Sequence, residues 1–168
     1  MSAVNLTLSV VFVLFAALSV SLSVIDIRTH RLPNIIVLPA YPITIGLLAL
    51  ACLLGADGRR LIGALLAMAG MFAFYLVLRL ISPRGMGGGD VKLAGVVGLV
   101  LGWVGWDAVA VGSLAGFILG GVFGTAMLAL RRADRRTRIP FGPFMLAGAW
   151  VGILAGPALS AGLVSTGA

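Results

Sequence analysis

Residues 85–90, Gly85-Met86-Gly87-Gly88-Gly89-Asp90, stand where one apolar run ends and the next begins. The reading of this stretch decides the reading of the whole chain. A carboxylate at a membrane boundary is costly and is usually kept for function. Glycines ahead of it free the backbone to leave helical geometry and let water approach. All five acidic residues of the chain are aspartates. Asp90 needs a partner, and the best candidate is Asp26, at the end of the first apolar run.

Composition sets the class around that pair. Hydrophobic residues make up 61% of the chain and charged ones 10%, with mean hydropathy +1.17, far from a soluble globular average. Apolar runs of roughly 20 residues recur from end to end, as a bilayer about 30 Å thick requires. They predict an all-α membrane protein, a bundle of about six transmembrane helices forming one domain over residues 1–168. The spans are read at about 4–25, 35–54, 61–81, 91–106, 108–130 and 142–164. No Lys or Arg precedes the first of these, whereas a signal peptide would need a basic start, so it is expected to be a retained span. The lone cysteine, Cys52, excludes an internal disulfide and any Cys-x-x-Cys zinc module.

Charge sets orientation. Arg28, Arg31, Arg79, Arg84, Lys92, Arg131, Arg132, Arg135, Arg136 and Arg138 fall in alternate joints, while the intervening joints carry only Arg59 and Arg60. The positive-inside rule puts the first set in the cytoplasm and both termini on the extracytoplasmic side. Asp26 and Asp90 then share the cytoplasmic face, with Asp57 and Asp107 opposite. Orientation and anionic lipid account for the net charge of +7, so nucleic acid is not an expected partner.

Glycines add a second pattern. Gly112, Gly116, Gly120 and Gly124 repeat every four residues, as do Gly148, Gly152 and Gly156. Such stripes let helix backbones approach closely in lipid. Packing within the bundle is the plainer expectation; a homodimer interface is the other.

Two aspartates at one membrane face suggest an intramembrane aspartic protease. Peptide hydrolysis by aspartates needs one carboxylate to deprotonate a water and one carboxylic acid to polarise the scissile carbonyl. Like charges so close cannot both ionise, and the pair shares a proton. His30 lies in a basic loop, and no Ser-His-Asp arrangement is evident. A hard-metal site would want more oxygen ligands than two aspartates supply, so neither metal nor cofactor is expected. On composition alone, the competing reading is a small multispanning transporter whose aspartates bind a cation or proton.

Three segments narrow the choice. Val24-Ile25-Asp26-Ile27-Arg28-Thr29-His30-Arg31-Leu32-Pro33-Asn34 resembles the first-aspartate segment of type IV prepilin peptidases. Gly85-Met86-Gly87-Gly88-Gly89-Asp90-Val91-Lys92-Leu93 resembles their second, a GxGD motif followed by Lys-Leu. Ile139-Pro140-Phe141-Gly142-Pro143-Phe144 is similar to the segment before their last span. Any four-residue glycine pattern is weak alone. Three in the right order, at matching membrane positions, are specific, and the resemblance covers essentially the whole chain.

The resemblance implies a prepilin leader peptidase of the plasma (inner) membrane, with Asp26 and Asp90 as the catalytic pair. Gly87 and Gly89 would shape the backbone around Asp90. Lys92 would either sit near the site's charge or serve as a snorkelling topology anchor. The implied substrate is a prepilin-like protein of type IV pilus or secretion systems, with a short basic leader and an N-terminal transmembrane helix. Cleavage is expected at the cytoplasmic face. Larger members carry an N-terminal cysteine-containing segment linked to methylation of the new N-terminus. Its cysteines are missing here, so the expectation is a short-form peptidase without methyltransferase activity.

Overall fold

The computed structural model describes residues 2–83, 85–130 and 140–166. Among these, six helices and no strand are found: α1 (Ala3–Thr29), α2 (Asn34–Leu53), α3 (Gly58–Ile81), α4 (Gly88–Val104), α5 (Trp106–Ala129) and α6 (Gly142–Thr166). Helices α1, α2, α3 and α5 are each long and apolar enough to cross a membrane. The fold is therefore an all-α membrane bundle. Arg84, the five arginines of the 131–138 joint, Asp134 and Ile139 lie outside the described residues.

Helix α4 is the centre. It packs against α2, α3, α5 and α6. From Leu93 to Trp103 every residue is buried, as are Asp90 and Val91. At 17 residues it is about 25 Å long, short of a bilayer core of about 30 Å. Its ends must therefore be covered by protein or meet water. Small residues let α3 close on it: a Cβ added at Gly102 would stand 2.5 Å from Ala67 Cβ and 2.8 Å from Ala64 Cα.

The two glycine stripes face each other inside one chain. A Cβ at Gly152 would fall 2.8 Å from Gly112 Cα, and one at Gly156 would fall 2.7 Å from Ala108 Cα. At Gly148 it would run into the backbone of Gly112 and Gly116. Gly112 and Gly116 thus join α5 closely to Gly148 and Gly152 of α6, which takes up these positions within one chain.

The structure corrects the reading of the spans at three places. Helix α1 continues one turn beyond the expected end, so Asp26 lies inside it rather than just past it. The break between the fourth and fifth helices falls at Gly105, not at 107, because φ 153° and ψ 166° there are open in practice only to glycine. Gly88 and Gly89 are helical rather than unwound, and Gly87, the residue before α4, has ordinary extended dihedrals. Those glycines serve close approach, not backbone freedom. A Cβ at Gly89 would press on Leu32 Cβ at 2.7 Å, and one at Gly88 would collide with the Arg79 guanidinium.

Inter-helix contacts put the C-terminal ends of α1 and α3 at the same end of the bundle as the N-terminal ends of α2, α4 and α6. Pro39 and Pro42 sit within an unbroken α2. Trp103 is buried, whereas Trp106, beside the Gly105 break, is exposed.

Gly148→Ala should cost about 1–3 kcal/mol of stability, the usual scale of overpacking. Gly46→Ala, where an added Cβ meets nothing within 4 Å, should be neutral or slightly stabilising. Melting of the two purified variants in detergent checks the contrast.

Candidate active site

Asp26 occupies the last turn of α1 on the stripe that turns Val11, Phe15, Ser19 and Leu22 inward. Steps of three and four residues keep these on one face. The carboxylate is buried, 4% exposed. Its Oδ2 accepts a hydrogen bond from the backbone N–H of Gly142 at 3.1 Å. Gly142 opens α6, so this N–H is one of the donors a helix start leaves without an internal partner. A Cβ at 142 would stand 2.7 Å from the same oxygen, which is why the position suits glycine. Below it, Trp150 Nε1 donates to Ser19 Oγ at 3.3 Å and braces α6 against α1.

Asp90 lies in the first turn of α4 and is 8% exposed. Its side chain reaches back so that Oδ2 accepts from the Gly87 N–H at 3.0 Å. It thereby satisfies an orphan donor of its own helix, at the positive end of the helix dipole. The two carboxylates are close enough for the charge of Asp26 to act on Asp90.

Both aspartates therefore use Oδ2 on a glycine N–H, and among the described residues no donor meets either Oδ1. An N–H can only donate, so Oδ2 must remain an acceptor. The glycine N–H therefore favours a proton on Oδ1, because the carbonyl oxygen is the better acceptor.

Around the pair, Arg79 lies over Gly88, and its charge too reaches Asp90. Lys92 bonds to another helix. Its Nζ donates to Asn34 Oδ1 at 2.9 Å, and its carbonyl accepts from the Tyr41 hydroxyl at 2.6 Å. Lys92 thus ties the start of α4 to the start of α2. His30 ends α1 in the left-handed region at φ 50°, donating its N–H to the Asp26 carbonyl at 2.8 Å.

An aromatic group completes the surroundings. Tyr75 of α3 stacks on Phe117 at 5.6 Å and meets Phe141 at 6.1 Å, next to Gly142. Neither Tyr75 nor Asn34 stood out in the sequence as a site residue. The available signal was a phenol inside an apolar span, because a buried hydroxyl must find a partner.

The remaining described aspartates have other roles. Asp57 is exposed and caps α3, accepting from the Arg59 N–H at 2.9 Å, and Asp107 is exposed in the first turn of α5. Both lie away from the pair. Among the described residues, no three His, Cys, Asp or Glu side chains gather as a metal site would require.

The model of the type IV leader peptidase family matches residues 12–129, a stretch that contains both aspartates. The chain belongs to the type IV leader peptidase family. It is 33% identical over 148 residues to the prepilin leader peptidase/N-methyltransferase of Stutzerimonas stutzeri, covering 84% of this chain and 48% of that protein. Against the protein of the same name from Pseudomonas aeruginosa, identity is 33% over 138 residues, 81% of this chain and 46% of the relative. For Bacillus subtilis it is 33% over 147 residues, 88% and 56%. The chain spans about half the length of the curated relatives it matches. No solved structure is significantly similar to it. The segment around Gly142 lies beyond the residues of the family match, yet it supplies the N–H that holds Asp26.

If the two carboxylates line one small volume, cysteines can replace them and be joined. Asp26→Cys with Asp90→Cys, in a Cys52→Ala background, should be bridged by a short bifunctional reagent, giving one cross-linked species on peptide mapping. Bridging only by reagents as long as the membrane is thick would contradict the geometry.

Proposed function

We propose that this chain is a membrane-embedded aspartic endopeptidase that removes the leader from type IV prepilin-like proteins, with Asp26 and Asp90 as its catalytic pair. The observation that carries the reading is two buried carboxylates brought to one end of the bundle by different helices, each held through Oδ2 by a glycine N–H, with α6 packed on α4 between them. Membership of a leader peptidase family, and relatives named prepilin leader peptidase/N-methyltransferase, supply the substrate class. The proposal covers leader cleavage alone.

The reaction follows from one shared proton. The ionised carboxylate takes a proton from a water lying between the two Oδ1 atoms. The water oxygen bonds to the scissile carbonyl carbon while the protonated carboxyl gives its proton to the carbonyl oxygen. The result is a gem-diol, with the proton now on the first aspartate. That aspartate then protonates the leaving nitrogen as the C–N bond breaks, and a gem-diol hydroxyl returns a proton to the second. Products are a carboxylic acid and an amine, and the pair again holds one proton. Gly87 and Gly89 support the geometry, the first as donor to Asp90 and the second by admitting Leu32. Lys92 acts as a positioning residue through Asn34.

The catalytic end of the bundle is assigned to the cytoplasmic face of the plasma (inner) membrane. Arg28, Arg31, Arg79 and Lys92 belong to that end, and basic residues favour the cytoplasmic side. The substrate is a prepilin-like chain whose N-terminal transmembrane helix lies in the bilayer beside the bundle. No homodimer is part of the proposal, since the stripes that suggested one pack against each other. A transporter reading finds no support in a peptidase family or in a donor set of two carboxylates.

Co-expression with a prepilin from the same genome, scored by a gel shift, tests the assignment. Asp26→Asn and Asp90→Asn should each cut processing by about 100-fold or more, while Asp57→Asn stays active. Near-normal cleavage by either of the first two would sink the reading. Rate against pH should be bell-shaped. It should fall at low pH as the pair takes a second proton and at high pH as it loses its only one. EDTA should leave the rate unchanged; loss restored by a divalent cation would point to a metal-bound water instead.

A further inference from the structure

Tyr75 is 1% exposed, and its hydroxyl has no hydrogen-bond partner among the described residues. An orphaned buried hydroxyl costs about 1–3 kcal/mol and is rare in native folds. The cost here is incurred at one particular place. Tyr75 stands one helical turn before Arg79, which overlies Gly88 in the first turn of the helix that carries Asp90. Its ring forms a three-ring cluster with Phe117 and Phe141, which also meet each other at 5.5 Å, and Phe141 adjoins the Gly142 N–H that holds Asp26. The phenol is therefore buried next to the elements that hold both carboxylates. It makes no direct bond to either.

We propose that Tyr75 is a third catalytic residue, its hydroxyl donating a hydrogen bond to the substrate oxygen on which the two aspartates act. This rests on the assignment of Asp26 and Asp90 above. When the carbonyl becomes a gem-diol, the aspartates serve its two oxygens by exchanging protons. A fixed third donor lowers the energy of the oxygen that gains charge on the way, and a preorganised donor in a dry site needs no reorganisation. The phenol moves no proton of its own and is unchanged at the end. Phe117 and Phe141 act through Tyr75 by fixing its ring.

Tyr75→Phe keeps the ring and removes only the oxygen. With the purified full chain and a prepilin substrate, kcat should fall by about 100-fold, the scale of one lost oxyanion donor, with KM little changed. Melting in detergent should not drop, because the deleted group had no protein partner to lose. A second readout is binding of a substrate-like peptide bearing a hydroxyl isostere at the cleaved bond, compared with its deoxy twin. The variant should lose affinity for the first and keep that for the second. A fall in kcat of less than about tenfold, or equal weakening of both peptides, would overturn the role of the hydroxyl. Asp90→Asn run in parallel separates the failures. If Asp90→Asn is inactive while Tyr75→Phe is normal, only the tyrosine is wrong. If Asp90→Asn cleaves normally, the catalytic pair is wrong and the tyrosine falls with it.

Discussion

Everything at the catalytic end depends on how closely helix backbones approach one another in lipid. Apolar burial no longer drives association there, so contact between small residues has to. Ala64 and Ala67 of α3 meet Gly98 and Gly102 of α4 with no room for a Cβ, and this fixes the depth and rotation of α4. Asp90 inherits its position from that fit. The stripes between α5 and α6 do the same for Gly142, and through its N–H for Asp26. The two carboxylates thus belong to separately braced parts of the bundle, joined through α6, which packs on both α1 and α4.

That arrangement leaves the pair under-satisfied by design. Each carboxylate has a single protein donor recorded, although four acceptor sites are available on each when ionised. Two charges so held, away from bulk water, cannot both persist. In the proposed mechanism the pair is singly ionised, and the Oδ1 atoms meet the water and the substrate carbonyl. Among the described residues, the nearby cations have other contacts. Arg79 lies over the start of α4, and Lys92 is committed to Asn34. A direct ion pair with either carboxylate would remove the base.

The helix count, the ends of α2 and α6 and the pairing of Asp26 with Asp90 were legible in the sequence because each has a one-dimensional signature. Apolar run length sets a span, and a lone carboxylate at a boundary stands out. The role of the glycines was only half legible. Gly88 and Gly89 read as unwinding residues, since flexibility is what a glycine cluster signals locally. Their real constraint is Arg79 and Leu32, which no local reading could reveal. The four-residue stripes were legible as packing surfaces, but which helix each met depended on the fold. Lys92 fell between two charge-based readings because its partner, Asn34, arrives from another helix. Tyr75 was illegible for the same reason. Its sequence neighbours are apolar, and its relation to Asp90 exists only once α3 and α4 are packed.

The central claim is that Asp26 and Asp90 act on one oxygen. The most direct measurement is a structure of the full chain in lipid or detergent with a prepilin-like peptide carrying a hydroxyl in place of the scissile carbonyl. The account predicts that hydroxyl within hydrogen-bonding distance of both aspartates, on their Oδ1 sides, with the glycine N–H bonds to Oδ2 intact. A hydroxyl bound to one carboxylate alone, with the other turned away or a helix's width distant, would contradict it.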